Sequence, residues 1–195
     1  MTMLAVHPWP GPAPAPAPQD GLFVLLLRTD ARRDAARIQV RLAAREALAV
    51  ALHRSLGDIG IDSTPGSPPR ITLAGEPCAI GCSFAHEVGY ALAAINLHGA
   101  VGVDLMRVQD IPDWQAVARD YLGPAASAAL QSASADDRPR AFAQAWTRRE
   151  AALKRAGQRL AEWRADINDA TLTLSLPVAG LVGSIALLPE KVILC

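Results

Sequence analysis

Hydrophobic residues follow two patterns along the chain, short runs and longer stretches with helical spacing. The run at 22–27 has the length of one buried strand. From 31 to 56 apolar residues recur at helical spacing, and Gly57 is the expected end of that helix. Further strands are predicted at 77–84, 89–96, 100–105, 171–176, 183–188 and 192–194, and further helices at 113–122, 125–133 and 138–156. Paired strands beside separate helices indicate the α+β fold class.

Proline marks two segments that we expect to lie outside these elements. A Pro-Ala tract at 7–18 lacks backbone donors and favours extended polyproline conformation, so it predicts a flexible or stiff leader. The stretch at 62–70 is rich in turn-forming residues and predicts a loop.

Composition and charge exclude several classes of protein. The 195 residues carry 19 basic and 19 acidic side chains, and a net charge of zero argues against electrostatic capture of nucleic acid or of an anionic membrane. No apolar segment is long enough to span a bilayer, and no signal peptide is predicted. The three cysteines are odd in number and lack zinc-type spacing, so we expect buried thiols in a reducing cytoplasm.

Two isolated residues are candidates for chemistry. Asp104 closes an apolar run, so we expect its carboxylate at a strand end, where it could ligate a hard cation such as Mg²⁺. His86 falls in the predicted turn between two strands, where an imidazole can meet a phosphate. Taken singly, each has a commoner explanation, because aspartates often cap turns and histidines often satisfy a nearby backbone group.

The predicted helix at 138–156 carries the third candidate. Phe142, Trp146, Glu150 and Lys154 are spaced four apart and form one stripe that begins apolar and ends charged. Such a helix would begin in the core and end at a cleft, where Glu150 could ligate a metal or accept a proton and Lys154 could hold a phosphate. The alternative is an ordinary surface pair between the two charges.

The order of these residues is more informative than any one of them. Residues 83–86 begin with serine and end with histidine, residues 102–104 are Gly-Val-Asp, and residues 146–154 are Trp-Thr-Arg-Arg-Glu-Ala-Ala-Leu-Lys. This series resembles the 4′-phosphopantetheinyl transferase superfamily, which has a serine–histidine turn, then G-[IV]-D, then W-x-x-K-E-A-x-x-K. The resemblance runs from about residue 22 to the end and is greatest to the longer, monomeric type that activates surfactin synthetase.

The resemblance implies a fold and an activity. The fold is two similar α+β halves about a pseudo-twofold axis, each a small antiparallel sheet packed on a long helix. We therefore expect a leader at 1–20, an N-terminal half at 21–100 and a C-terminal half at 101–195, forming a cytoplasmic monomer. The activity is that of a holo-[acyl-carrier-protein] synthase. It moves the 4′-phosphopantetheine arm of coenzyme A to a serine of an apo acyl or peptidyl carrier protein in fatty-acid or polyketide biosynthesis and releases 3′,5′-ADP.

The same resemblance assigns roles to individual residues. Asp104 and Glu150 would bind Mg²⁺ with the pyrophosphate of coenzyme A, while His86 and Lys154 would hold phosphate oxygens. Glu150 is the implied catalytic base, with Lys154 beside it at the reacting centre. In the first long helix Arg45 would meet the nucleotide end of coenzyme A. The G-x-P-like loop that ends at Arg70 would line the same pocket.

Two departures from the family pattern keep an alternative open. Many relatives have an acidic third metal ligand where this chain has Met106, which cannot ligate a hard cation. Glu87 is a possible local substitute. Arg149 replaces the usual lysine and offers a planar fork in place of a point charge. The alternative is a homologue that binds coenzyme A or a carrier protein with weak or no transferase activity.

Overall fold

The computed structural model describes residues 4, 6–11, 20–64, 67–165 and 171–187 of the chain. Its strands are β1 (His7–Trp9), β2 (Leu22–Arg28), β3 (Ile59–Asp62), β4 (Arg70–Leu73), β5 (Glu76–Pro77), β6 (Gly81–Glu87), β7 (Tyr90–Asn96), β8 (Val101–Arg107), β9 (Thr171–Leu174) and β10 (Leu181–Leu187). Its helices are α1 (Arg33–Ala51), α2 (Trp114–Val117), α3 (Gly123–Ser132) and α4 (Arg138–Arg155), with a π-helical stretch over Ala118–Leu122 between α2 and α3. The fold class is α+β, as the sequence predicts. No helix in the described part of the chain is long and apolar enough to cross a membrane.

The first sheet has the strand order β1-β2-β7-β6 and is buried on both faces. Phe23, Leu25 and Leu27 of β2 pack against the core under α1. The alternate residues, with Val24 at the centre, face a second core that includes residues of β8 and β10. Because side chains alternate across a strand, burial of both faces explains why β2 is one continuous apolar run.

The second sheet has the order β8-β10-β9, is antiparallel and carries α4 on its outer face. A Cβ atom at Gly102 of β8 would lie 1.9 Å from the backbone oxygen of Ala151 in α4. No side chain fits there, so glycine sets how closely α4 approaches β8. Residues two and four positions after Gly102 face the same helix, because the side-chain period of a strand is two.

Side chains join the two sheets along the seam between β6 and β8. Ser83 Oγ accepts the backbone N–H of Val103 at 3.1 Å. Glu87 Oε2 accepts the backbone N–H of Arg107 at 2.9 Å. In the described residues no backbone ladder joins β6 to β8, so side-chain hydrogen bonds and the shared core hold the two sheets together.

The N-terminal region differs from the sequence expectation. Part of the segment predicted as a leader forms β1, which pairs in parallel with β2. Trp9 packs on the first core, and its indole N–H donates to Glu46 Oε2 at 3.1 Å. This burial holds the strand in place. Residues 12–18 of the Pro-Ala tract lie outside the described residues.

Other element boundaries also shift. The first long helix ends at Ala51, not near Gly57, because His53 adopts a left-handed φ of 52° and the N–H of Arg54 returns to the oxygen of Ala49. The sequence analysis missed β3, β4 and β5, a small sheet of short strands. The strand predicted at 192–194 lies outside the described residues.

Candidate functional site

A cleft of about 610 Å³ opens between α1, β6, the loop after β3 and the C-terminal end of α4. Most of the charged side chains that the sequence singled out line it. Asp104, Glu150, Lys154 and His86 all belong to its wall. The tertiary structure thus brings together residues that are up to 68 positions apart (86 to 154) in the sequence.

The stripe on α4 has the orientation that its sequence pattern predicts. Phe142 is buried, and the ring of Trp146 stacks on it with centroids 6.2 Å apart. One and two turns further on, Glu150 and Lys154 line the cleft. The helix therefore begins in the core and ends at the site.

Asp104 lies in the middle of β8, so the expectation of a strand end was wrong. Strand β10 pairs along the whole of β8, with Ser184 opposite Asp104, which extends the strand beyond the apolar run. Asp104 shares a face of β8 with Gly102 and points toward α4. Only 8% of its surface is exposed.

Lys154 is the direct partner of Asp104. Its Nζ lies 2.7 Å from Asp104 Oδ1 and also donates to the backbone oxygens of Val103 at 3.1 Å and Phe84 at 3.3 Å. An ammonium has three donors, and these three acceptors occupy all of them. Lys154 therefore joins α4, β6 and β8 at the seam and neutralises a buried carboxylate.

The two carboxylates of the cleft influence each other. Burial raises the pKa of Glu150, and the nearby charge of Asp104 raises it further. Burial also raises the pKa of Asp104, against the opposing effect of Lys154. Both carboxylates therefore bind a proton more readily than exposed carboxylates do.

The donor set fits Mg²⁺ with substrate. Mg²⁺ is commonly held by one or two carboxylates together with phosphate oxygens and water, and Asp104 with Glu150 supplies two. Within the described residues no group of three or more potential metal-ligating side chains occurs. Met106 packs with the cluster formed by α2, α3 and α4. The carboxylate oxygens of Glu87 already accept the N–H groups of Val88 and Arg107.

His86 belongs to β6 and not to a turn, because the β6–β7 connection needs only residues 88 and 89. Its Nε2 atom is buried and has no hydrogen-bond partner among the described residues. Burial, followed by the charges of Arg37 and Arg33, lowers the pKa of His86 from 6.5 to about 4. The imidazole is therefore neutral at pH 7.

Three arginines of α1 line the cleft, and the sequence analysis did not assign them to the site. Arg33, Arg37 and Arg41 are spaced four apart and lie along one side of the cleft. Arg41 donates to Ser63 Oγ at 2.6 Å and stacks over the ring of Phe84 with 5.7 Å to the centroid. The four-residue spacing of arginine in this helix was the signal that could have found them.

The structure does not bring Arg45 or Arg70 into the cleft. Arg45 donates to the backbone oxygens of Ile59 at 2.8 Å and Leu56 at 2.9 Å, so it ties α1 to the start of β3. Arg70 is exposed at the start of β4, while Pro68 of the preceding loop does line the cleft.

Arg149, the departure from the family lysine, is also outside the cleft lining. It is 5% exposed, and its Nε and Nη1 atoms have no hydrogen-bond partner among the described residues. Its charge nonetheless lowers the pKa of neighbouring Glu150, against the effects of burial and Asp104.

Residues 100–179 match the sequence model of the 4′-phosphopantetheinyl transferase superfamily. A Synechocystis sp. protein, assigned by name as a 4′-phosphopantetheinyl transferase, is 32% identical over 76 residues. The match covers 39% of this chain and 31% of that protein, so the chain spans under a third of the relative's length. The matched segment contains Asp104, Glu150 and Lys154, whereas His86 and the arginines of α1 precede it.

Proposed function

We propose that this protein transfers the 4′-phosphopantetheine arm of coenzyme A to a serine of an apo acyl or peptidyl carrier protein and releases 3′,5′-ADP. One observation carries the proposal. Asp104 and Glu150, the carboxylates of the segment that matches the superfamily, face the same cleft as the arginine stripe of α1. A site with cations on one wall and paired carboxylates on another suits a polyphosphate substrate held with a divalent metal.

The arginine stripe would bind the phosphates of coenzyme A. Guanidinium groups donate in a planar fork that matches phosphate oxygens. Arg33, Arg37 and Arg41 would place the nucleotide end along α1, with the pyrophosphate toward His86. An uncharged His86 would donate one hydrogen bond to a phosphate oxygen.

Asp104 and Glu150 would hold Mg²⁺ together with the pyrophosphate. When bound, the metal offsets the negative charge that develops on the leaving group. Lys154 Nζ already contacts three acceptors, among them Asp104 Oδ1. A direct contact of Lys154 with phosphate would therefore require it to exchange one of these acceptors.

Glu150 would act as the base. The carrier serine loses its hydroxyl proton to the Glu150 carboxylate, and its Oγ forms a bond to the phosphorus that bears the pantetheine arm. The bond from that phosphorus to the bridging oxygen breaks, and 3′,5′-ADP leaves with the electron pair. A pKa raised by burial makes Glu150 a stronger base than an exposed glutamate.

The proposal extends to the longer, monomeric type of the superfamily, with similar halves at 21–100 and 101–195 and a cytoplasmic location. Two features support this arrangement. Each of the two larger sheets has a long helix on its outer face, α1 on the first and α4 on the second. The boundary near residue 100 coincides with the step from β7 to β8, where the chain leaves the first sheet for the second.

A second candidate function is a homologue that binds coenzyme A or a carrier protein with weak transferase activity. Met106 favours it, because a thioether stands where many relatives supply a third oxygen ligand for the metal.

Mass spectrometry of carrier proteins tests the transferase. The protein is incubated with coenzyme A, Mg²⁺ and several apo carriers, and the carrier mass is followed. We expect the carrier to gain a phosphopantetheine adduct. The rate of adduct formation should fall at least about a hundredfold with Glu150→Gln. Glu76→Gln, at an exposed position in β5, should leave that rate unchanged. Coenzyme A binding with no adduct on any carrier would select the second candidate.

A further inference from the structure

The ion pair between Lys154 and Asp104 occupies the carboxylate that a divalent cation would need. Lys154 Nζ lies 2.7 Å from Asp104 Oδ1. The Asp104 side chain is largely buried, so water screens the attraction only in part. The negative charge that binds the ammonium is the same charge that would bind a metal ion, and the two cations therefore compete for Asp104.

The Lys154 ammonium is held in place by two further contacts. It donates to the backbone oxygens of Val103 at 3.1 Å and Phe84 at 3.3 Å. These oxygens belong to β8 and β6, so acceptors from both strands of the seam fix the position of the ammonium beside Asp104. A metal ion that took Asp104 Oδ1 would have to displace an anchored cation and not a freely moving side chain.

The other charges of the cleft also oppose a free divalent cation. Among the described residues that line the cleft, basic side chains outnumber the carboxylates of Asp104 and Glu150. The basic side chains are those of Arg33, Arg37, Arg41, Lys154 and Arg159. Like charges repel, and the low-dielectric walls of a cleft concentrate the field. A bare cation therefore meets a positive potential, whereas a cation bound to phosphate oxygens brings compensating negative charge.

Phosphate oxygens would remove the competition for Asp104. A phosphate beside Lys154 would give the ammonium a negatively charged acceptor in exchange for Asp104 Oδ1. The two carboxylates, Asp104 and Glu150, are few ligands for Mg²⁺, which commonly completes its coordination with phosphate oxygens and water. One phosphate-bearing ligand thus supplies both the new acceptor for Lys154 and the missing oxygens for the metal.

We propose that Lys154 is a positioning residue that withholds Asp104 from a free divalent cation, so that the metal enters the site together with the phosphates of coenzyme A. The inference rests on the proposed function, because it takes coenzyme A as the ligand of the cleft. It adds an order to binding, in which Lys154 passes from Asp104 to a phosphate oxygen. By linkage, metal and coenzyme A strengthen each other's binding by the same factor.

Binding of Mn²⁺, followed by the electron paramagnetic resonance signal of the free ion, tests this order without any turnover. A protein-free sample corrects for the complex between Mn²⁺ and coenzyme A. We expect the wild-type protein to bind Mn²⁺ about tenfold more tightly when coenzyme A is present. Lys154→Met removes the competing ammonium and should strengthen Mn²⁺ binding about tenfold in the absence of coenzyme A. A merely structural role of Lys154 would not produce a gain of affinity.

The matched control is Arg159→Met. It removes one positive charge from the lining at an exposed position and leaves the pair of Lys154 with Asp104 intact, so Mn²⁺ affinity should change by less than about twofold. Lys154→Gln is a second test, because it removes the charge but keeps a side-chain donor at the seam, and it should also strengthen Mn²⁺ binding. Calorimetry of the wild-type protein needs no variant, and Mn²⁺ should tighten coenzyme A binding by the same factor.

Equal Mn²⁺ affinity of the wild-type protein with and without coenzyme A, or no gain with either Lys154 variant, would overturn the order of binding. An equal gain with Arg159→Met would overturn the role of Lys154, since any cation of the cleft would then have the same effect. Failure of the proposed function has a different signature. In that case Mn²⁺ and coenzyme A would strengthen each other's binding, Lys154→Met would tighten Mn²⁺ binding, and no carrier protein would gain mass.

Discussion

Lys154 Nζ of α4 lies 2.7 Å from Asp104 Oδ1 of β8, and the same ammonium donates to the backbone of β6 at Phe84. One side chain thus contacts both strands of the seam and neutralises the more deeply buried carboxylate of the cleft. The Asp104 side chain is 12% exposed and the Lys154 side chain 31% exposed, so water screens the pair only in part. Breaking such a pair on one side leaves a charge without compensation.

We therefore predict that Lys154→Met lowers the free energy of unfolding by about 2 kcal/mol. This loss is smaller than the loss on breaking a fully buried pair, because Lys154 is partly solvated. Combining it with Asp104→Asn removes both charges and should restore more than half of the loss. Urea unfolding followed by circular dichroism measures both values. Losses that simply add in the double variant would show that the two side chains are not energetically coupled.

The contact between β8 and α4 at Gly102 gives a second prediction. Gly102→Ala places a Cβ 1.9 Å from the Ala151 oxygen, a contact much shorter than any that Cβ atoms make in folded proteins. We expect a loss of about 2–3 kcal/mol in stability from overpacking, and a fall in transferase rate because α4 carries Glu150. Gly57→Ala is the control, since its nearest atom would be Ser55 Oγ at 3.7 Å. A Gly102→Ala protein as stable as wild type would mean that α4 can move away without cost.

The third prediction concerns the arginine stripe of α1 and the affinity of the protein for coenzyme A. Arg37→Gln removes one cation from the cleft wall, and we expect coenzyme A to bind about tenfold more weakly, with a reduced dependence of affinity on salt. Arg54→Gln removes an exposed arginine outside the cleft lining and should change binding by less than twofold. Titration calorimetry at two salt concentrations compares them, and equal behaviour of the two variants would exclude the stripe as the phosphate site.

His86 predicts a dependence of stability on pH. Its pKa is about 4 in the folded protein and 6.5 when unperturbed, so between these values the unfolded chain binds more protons. The free energy of unfolding should therefore fall as the pH decreases from about 6.5 toward 4. His86→Asn should flatten this part of the profile, whereas His53→Asn, at an exposed position that asparagine tolerates, should not. An NMR titration that finds an ordinary pKa for His86 would contradict the prediction.

The position of Asp104 shows where local sequence reasoning fails. The apolar run at 100–105 correctly predicts a strand, because a buried strand needs apolar residues on its core face. The end of this strand is set by β10, which pairs with β8 as far as Arg107. Strand β10 begins more than seventy residues further along the chain. Similarly, the spacing of arginine on α1 predicts one face of a helix, but nothing local shows that this face meets β6.

By itself the sequence determined the α+β class, the long helices, the apolar run of β2 and the order of the candidate residues. These features follow from the spacing of apolar residues within one segment, because that spacing depends on which face of the segment is buried. Only the tertiary structure decided that Lys154 pairs with Asp104, that Arg33, Arg37 and Arg41 face the cleft, and that Arg45 binds backbone oxygens elsewhere. A hydrogen bond or ion pair depends on which distant segment packs alongside, and packing of α1, β6, β8 and α4 is a property of the whole chain.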